Sequence, residues 1–416
     1  MDGRFLVALG LVTTLGLGWH AVSPTVSAQR PAVQASAVDA TLKAAVERRE
    51  VPGVVAMATD RRGVIYSGAF GTASGAANRP MALDAVFRIA SMTKAVTSAA
   101  LMQLVDEKKV SLDDPASKFF PAFGTLSVIS DFNPNTGAYT TRPASTPVTV
   151  RQLLTHTSGL GYGFTSPVVR DFKPKNGDTF EVGPLLFEPG TQWIYGTSTD
   201  WVGRIVETVS GQSLDAYFRE RILGPLGMHD THFNVPDAAL PRLVTVWKRQ
   251  TDGVLVENPA ESPQRVTRFN GGGGLSSTAA DYIKFLQMLL NQGELNGKRI
   301  LSAESVKAMS LNQMGAVSAR AINTAQPERS ADFTFINDSR DKWGLGFLIT
   351  AEGKPGLRSA GSLSWGGINN TYFWVDPTRG VAGVILMQFL PFADPKALGV
   401  YEKFERAIYQ SQSQSQ

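Results

Sequence analysis

Ser91-Met92-Thr93-Lys94 places a hydroxyl and an amine three residues apart at the head of a helical stretch. Residues i and i+3 share a helix face, so the Lys94 ammonium reaches the Ser91 hydroxyl. A serine hydroxyl is a poor nucleophile until a base removes its proton. A lysine serves as that base when burial and nearby positive charge favour its neutral form. A helix N-terminus supplies part of that field and aims backbone N–H groups at a developing oxyanion. The spacing alone is a weak signal, because Ser339-Arg340-Asp341-Lys342 repeats it. That copy sits in a polar stretch before a strand, with no helix to set the geometry, and reads as a chance match. Unsupported, Ser91 would read as a helix-capping serine.

Two further segments supply the support. Trp193-Ile194-Tyr195-Gly196-Thr197 follows Glu188-Pro189-Gly190 and precedes a helical run. A tyrosine on such a turn points inward, and its phenol relays a proton between Ser91, Lys94 and a leaving group. A lone tyrosine is more often a packing residue. Ser364-Trp365-Gly366-Gly367-Ile368 ends a β run. Two glycines there let a substrate lie along the strand edge, and a strand N–H facing Ser91 would complete an oxyanion hole. A simple bulge or turn is the plainer alternative.

Other candidates carry less. The Gly-x-Ser-x-Gly pattern of a nucleophile elbow is absent. His229 and His232 have metal-like spacing but lie in a Pro/Gly-rich stretch and read as surface-loop residues. His156, in Leu-Leu-Thr-His-Thr-Ser-Gly, reads as a structural histidine at a helix end rather than a triad base. Gly271 to Gly274 lacks the Lys and Ser/Thr that follow a phosphate loop. No metal and no cofactor is expected.

The elements that must position these residues follow a simple order. Val38 to Glu50 reads as a helix, and Gly53 to Ala58 and Gly63 to Phe70 as strands around the turn Asp60-Arg61-Arg62-Gly63. Ser91 to Glu107 is a long helix with an apolar stripe at Val96, Ala99, Ala100 and Leu104. Gly124 to Pro147, rich in Pro, Asn, Thr and Gly, reads as a loop excursion. Val148 to Leu154, Asp200 to Val209, Leu214 to Ile222 and Thr278 to Leu290 read as helices. Trp343 to Ala351, Ser359 to Trp365, Thr371 to Val375 and Val381 to Met387 are β runs, the last two joined by the hairpin turn Asp376 to Gly380. Lys396 to Tyr409 closes as a helix, followed by a polar tail, Ser411 to Gln416. Strands at both ends with helices between them give an α+β class. One antiparallel sheet, flanked by helices, carries an inserted, mostly helical part at about 100–340.

The whole chain has 416 residues, 43% of them hydrophobic, which suffices for a large core. Its formal charge of +4 is scattered, with no Lys/Arg run that would track phosphates, so no nucleic-acid partner is expected. The absence of cysteine excludes a thiol nucleophile, disulfides and thiolate metal sites. Arg4, the apolar run Phe5 to Gly18 and the small residues of Val26-Ser27-Ala28 read as a signal peptide cleaved after Ala28. This implies a periplasmic or secreted protein with no stable membrane span. Residues 29–37 then form a linker to a catalytic domain at 38–410.

Together these segments resemble the serine β-lactamase-like superfamily, which includes penicillin-binding proteins and class C β-lactamases. The resemblance runs from about Val38 to Tyr409. Phe87 to Lys94 is similar to the first motif of that family, which carries nucleophile and base. Leu153 to Leu160 and Pro225-Leu226-Gly227-Met228 are similar to further signatures of the group. Tyr195 falls where the second motif, Tyr-x-Asn, has its tyrosine, and Trp365-Gly366-Gly367 falls where the third, Lys-Thr-Gly, lies on an edge strand. The resemblance implies a β-lactamase/transpeptidase-like fold and oxyanion donors at the N–H groups of Ser91 and Ile368. Trp365, Gly366, Gly367, Thr197 and Tyr162 are the implied substrate contacts. Two departures matter. Thr197 replaces the asparagine of the second motif, and Trp365 replaces the lysine that binds the carboxylate of β-lactams and D-Ala-D-Ala peptides, offering an apolar wall instead. Trp-Gly-Gly is similar to the family VIII esterases. The expected activity is therefore cleavage of small carboxylic esters through an acyl-enzyme on Ser91. The alternatives are a β-lactamase or D,D-carboxypeptidase/endopeptidase, an acyltransferase or amide hydrolase on the same machinery, and an inactive penicillin-recognising binding module.

Overall fold

Gly53–Asp60 and Val381–Leu386 are buried almost end to end, the pattern of strands covered on both faces. They pair antiparallel, Val55 opposite Leu386 and Asp60 opposite Val381, and so join the two ends of the chain in one sheet. The computed structural model describes residues 35–175, 177–258, 264–334 and 340–413. The signal-peptide segment, the linker up to residue 34, Ser339 and residues 414–416 lie outside the described residues.

The elements used below are, in chain order, α1 (Ala35–Glu47), β1 (Gly53–Asp60), β2 (Val64–Ser74), β3 (Arg79–Pro80), β4 (Phe87–Arg88) and α2 (Thr93–Asp106). Then come β5 (Ser127–Phe132), β6 (Tyr139–Pro143), α3 (Val150–Leu154), α4 (Ser198–Ser210), β7 (Ser276–Ser277) and α5 (Ala279–Leu290). The chain ends with β8 (Lys342–Trp343), β9 (Leu348–Ile349), β10 (Leu363–Gly367), β11 (Thr371–Asp376), β12 (Val381–Leu386) and α6 (Pro395–Ser413). The main sheet has eight strands in the order β8-β9-β10-β11-β12-β1-β2-β3, antiparallel throughout. Side chains alternate across a strand. Val54, Ala56 and Ala58 accordingly join an apolar cluster with Leu42 of α1 and Phe404 of α6. Val55 and Met57 join the opposite cluster, which contains Val96 of α2, Ile205 of α4 and Phe285 of α5. This is the β-lactamase/transpeptidase-like arrangement, a helix-flanked antiparallel sheet with a helical part inserted after β4.

Four local readings change. The Gly124 to Pro147 excursion contains a hairpin, β5 against β6, because Val128 and Tyr139 bury side chains that its turn-rich composition conceals. The run from Trp343 to Ala351 is two strands, β8 and β9, broken at Gly346, whose φ of +95° suits glycine. The final helix continues to Ser413 where a frayed tail is expected, and Ser411 is buried with its hydroxyl bonded to the Ile408 carbonyl. Finally, α2 shows no one-sided stripe, because every residue from Thr93 to Leu104 is buried. A helix enclosed on all sides is the stiffest mount available for its first turn. Among the described residues no helix is long and apolar enough to cross a membrane.

Candidate active site

The segment entering α2 is held from both sides. Phe87 and Arg88 pair with Ser277 and Ser276, and the Ile89 N–H donates to the Leu275 carbonyl. Asn369 Nδ2 donates to the Arg88 carbonyl. Ala90 then takes a φ of +45°, a costly conformation for a residue with a Cβ, and turns the chain sharply into a 3₁₀ turn, Ala90–Met92. The Tyr282 hydroxyl donates to the Met92 carbonyl and the Leu275 N–H to Thr93 Oγ1, which lock the turn in place. Ser91 thus sits at the N-terminal entrance of a buried helix, half-buried itself.

Lys94 is 1% exposed, with Nζ 3.3 Å from Ser91 Oγ. Nζ also donates to the Gly272 carbonyl at 2.6 Å and to the Tyr162 hydroxyl at 3.1 Å. Gly272 in turn donates its N–H to Asp200 Oδ1 at 2.8 Å. A Cβ on Gly272 would lie 2.5 Å from Asp200 Oδ1, so this close approach requires glycine. The Gly271 to Gly274 run, empty of meaning as a phosphate loop, is therefore the floor beneath Lys94. Burial raises the Asp200 carboxyl above its usual range, against the pull of the Lys94 charge and the hydrogen bond from Gly272. Burial, then the Asp200 charge, pushes the Tyr162 phenol well up.

Tyr195 stands on the other side of Lys94, with its ring centroid 4.7 Å from Nζ. Its turn is pressed against the Tyr162 loop, since a Cβ on Gly196 would come 1.9 Å from the Leu160 carbonyl. Thr165 Oγ1 ties the two together by donating to the Tyr195 carbonyl while accepting from the Tyr162 N–H. His156 packs its ring 4.9 Å from that of Tyr195 and accepts from the Gly196 N–H. Burial first, and the Lys94 charge second, depress the imidazole well below its ordinary range, so it stays neutral. The histidine at the helix end is structural in form, yet it braces the tyrosine turn directly.

Trp365 is 5% exposed, and its indole N–H donates to the Tyr195 hydroxyl at 3.1 Å. The strand it sits on is also not a simple edge. β10 pairs with β11 along its length, but with β9 only at Leu363 and Ser364, leaving Trp365 to Gly367 open on one side. Gly367 abuts the Ile89 carbonyl, where a Cβ would come within 2.2 Å, and Ile368 follows from that point. Thr197, at the N-cap position of α4, is half-buried and makes no hydrogen bond to Lys94 among the described residues. Tyr162 makes such a bond, through its hydroxyl. A cavity of about 240 Å³ opens beside Ala90 and Gly273, lined also by Arg88, Arg265, Asn234 and Asn369. Arg265 also pairs with Asp237 at 3.0 Å. Two arginines thus stand among the lining residues of a cleft that lacks the third-motif lysine. As for the second Ser-x-x-Lys, Lys342 is committed elsewhere, to the Val317 carbonyl and Ser318 Oγ.

Residues 38–406 match the family model described as Beta-lactamase. The chain belongs to the beta-lactamase family. Within this family it is similar to a lovastatin esterase of Penicillium rubens, 29% identical over 90% of this chain and 98% of that one. It is equally similar, at 29% identity, to a monacolin J acid methylbutanoyltransferase of Aspergillus terreus, over 89% of this chain and 95% of the other. The crystal structure of simvastatin synthase from Aspergillus terreus superposes with a TM-score of 0.76 at 28% identity, covering 91% of this chain and 98% of that one.

Two residues beside the site escape a reading of the beta-lactamase-like motifs. Gly272 meets Lys94 only through tertiary packing, and Arg88 is hidden inside the first motif. Asp200, with Trp201, belongs to the stretch after Tyr195 that is similar to relatives acting on acyl esters, but its place beside Gly272 is not readable from that likeness. The local signal for Arg88 is its position, three residues before Ser91.

Proposed function

We propose that the protein hydrolyses or transfers the acyl group of carboxylic esters through an acyl-enzyme on Ser91. The observation that carries the reading is the hydrogen-bond set of Lys94, which aims one remaining position of its amine at the Ser91 hydroxyl. In this mechanism Ser91 Oγ attacks the ester carbonyl carbon as its proton passes to Lys94 Nζ. The N–H groups of Ser91 and Ile368 receive the oxyanion. Collapse breaks the C–O bond to the alcohol, which leaves with a proton delivered through the Tyr195 hydroxyl. Water or a second alcohol then gives up a proton along the same route and attacks the acyl carbon, releasing acid or a new ester and restoring Ser91. The esterase and the methylbutanoyltransferase among the relatives carry names for these two outcomes.

A β-lactamase or D,D-peptidase reading draws on one observation, that Arg88 and Arg265 both line the cavity beside Ala90. Purified protein offered p-nitrophenyl butyrate and a chromogenic cephalosporin separates the two. The ester should win in kcat/KM by about 10²-fold or more, because Trp365 stands where the third-motif lysine would hold the cephalosporin carboxylate, and loss of one such contact discriminates on that scale. Equal values, or a preference for the cephalosporin, would overturn the ester reading.

Trp365 gives a second test. With Phe in its place the ring packing is largely kept but the N–H to Tyr195 is lost. Loss of one such hydrogen bond should lower kcat about tenfold with little change in KM. Active sites are counted by phosphonate titration. An unchanged kcat would remove Tyr195 from the proton path or Trp365 from its support.

A further inference from the structure

We infer that Asn369 is a positioning residue for the oxyanion hole, fixing the Ile368 N–H relative to that of Ser91. The inference rests on the acyl-enzyme reading above and concerns how its two oxyanion donors are held together. One oxygen accepts from both only if each donor nitrogen lies about 3 Å away, and a site about 1 Å too loose loses its function. The two donors come from segments far apart in sequence, and strand pairing does not join them. β4 pairs with β7, whereas β10 pairs with β9 and β11. Side chains must span the gap, and Asn369 does so. Its Nδ2 donates to the Arg88 carbonyl at 3.2 Å. A carbonyl only accepts, so the NH₂ end of the amide has to face it. Ile368 is thereby bracketed. On one side of it Gly367 abuts the Ile89 carbonyl, where a Cβ would come within 2.2 Å, and on the other Asn369 holds the carbonyl one residue earlier. Thr371 Oγ1 adds a longer bond to the Ile89 carbonyl at 3.4 Å.

The loop between β10 and β11 has a second set of anchors, on the side away from Arg88. The Asn369 carbonyl accepts from the Phe389 N–H at 3.0 Å. Asn370, at a φ of +54° that asparagine tolerates, donates Nδ2 to the Phe389 and Pro391 carbonyls at 2.8 and 2.7 Å. The Tyr372 hydroxyl donates to Asn370 Oδ1 at 2.7 Å. Asn369 is 8% exposed and Asn370 is fully buried. Without the Asn369 amide the loop therefore stays attached to Phe389 and Pro391 but releases Arg88. The cost should fall on the transition state, because the oxyanion exists only there. Asn369 also lines the cavity beside Ala90, so a direct contact with substrate is the competing role. Loss of such a contact would raise KM and leave kcat in place.

The experiment compares wild type with Asn369→Leu, which keeps the size but cannot donate, and Asn369→Asp, which keeps the shape but turns an acceptor toward the Arg88 carbonyl. It measures kcat and KM for p-nitrophenyl butyrate and the inhibition constant of an alkyl trifluoromethyl ketone. Ser91 Oγ adds to the ketone carbon, its proton passes to Lys94, and the ketone oxygen becomes an oxyanion in the hole. A fluorophosphonate mapped by peptide mass spectrometry counts the active sites, and thermal unfolding verifies folding. In Asn369→Leu kcat should fall about 10- to 10²-fold, less than the 10²- to 10³-fold of a deleted oxyanion donor. KM should stay within about threefold, and the ketone should weaken by the factor lost in kcat/KM. Asn369→Asp should lose at least as much. Failure of wild type to label on Ser91 would sink the acyl-enzyme reading and this inference with it. With wild type labelled there, three results would overturn the role of Asn369 alone: folded variants that keep kcat, a loss confined to KM, or a fall in kcat with unchanged ketone affinity. Should Asn369→Leu not fold, Asn369→Asp decides by the same comparison, and failure of both to fold would reduce the amide to a stabilising contact and overturn the inference.

Discussion

Ser91→Ala is expected to lower kcat for p-nitrophenyl butyrate by about 10⁴-fold or more, as loss of a nucleophile does when base and nucleophile act as a unit. The protein should remain folded. Ser91 is half-buried at the start of α2, and the contacts that hold this turn come from Ile89, Met92 and Thr93, not from the Ser91 hydroxyl. A small residual rate should persist, because an oxyanion site and substrate binding accelerate attack by water without the nucleophile. A fluorophosphonate adduct should map to the peptide containing Ser91 and vanish in the variant. Two other serines serve as controls. Ser158 lies in a sequence that looks catalytic beside His156, but it is fully buried and shares its hydrogen bond with Ser198. Ser339→Ala should be nearly neutral. An adduct on Ser158 or Ser339, or a Ser91→Ala variant that keeps a tenth of the activity, would remove the acyl-enzyme on Ser91.

The parts of this molecule that are legible in its sequence are those set by short spacing. Ser91 and Lys94 meet because i and i+3 share a helix face, and the sheet joining both chain ends follows from β-branched runs at those ends. What is not legible depends on contacts distant in sequence. The Gly272 carbonyl reaches Lys94 across 178 positions, and nothing in a run of four glycines marks it as the seat of an amine. Trp365 shows the same limit in one side chain. Its apolar bulk suggests a wall, but nothing in the sequence shows the indole N–H meeting a hydroxyl 170 positions away. The β5–β6 hairpin is hidden for a different reason: its exposed face carries Ser, Asp, Thr and Arg, so composition reads as loop while the few buried positions carry the strand signal.

Lys94→Arg is expected to come within about tenfold of the loss caused by Ser91→Ala, since triad-like groups lose activity together. The substitution keeps the positive charge, so an electrostatic role for Lys94 would survive it. A base role would not, because a guanidinium does not release its proton near neutral pH. The pocket sharpens the distinction. Lys94 is enclosed, and its three partners converge on a single nitrogen. A planar guanidinium presents five N–H groups and no lone pair, so it has nothing with which to accept the Ser91 proton. Its bulk would press on the Tyr162 and Tyr195 rings, which lie 5.2 and 4.7 Å from Nζ. Lys94→Ala separates bulk from chemistry by leaving space instead of filling it, and it should fall to a similar level. The measurement is the stopped-flow burst of p-nitrophenol. Wild type should show acylation, whereas both variants should lose the fast phase while thermal unfolding reports an intact fold. A folded Lys94→Arg enzyme that retains more than about one hundredth of wild-type acylation would transfer the role of base to Tyr195, whose ring lies against the same nitrogen.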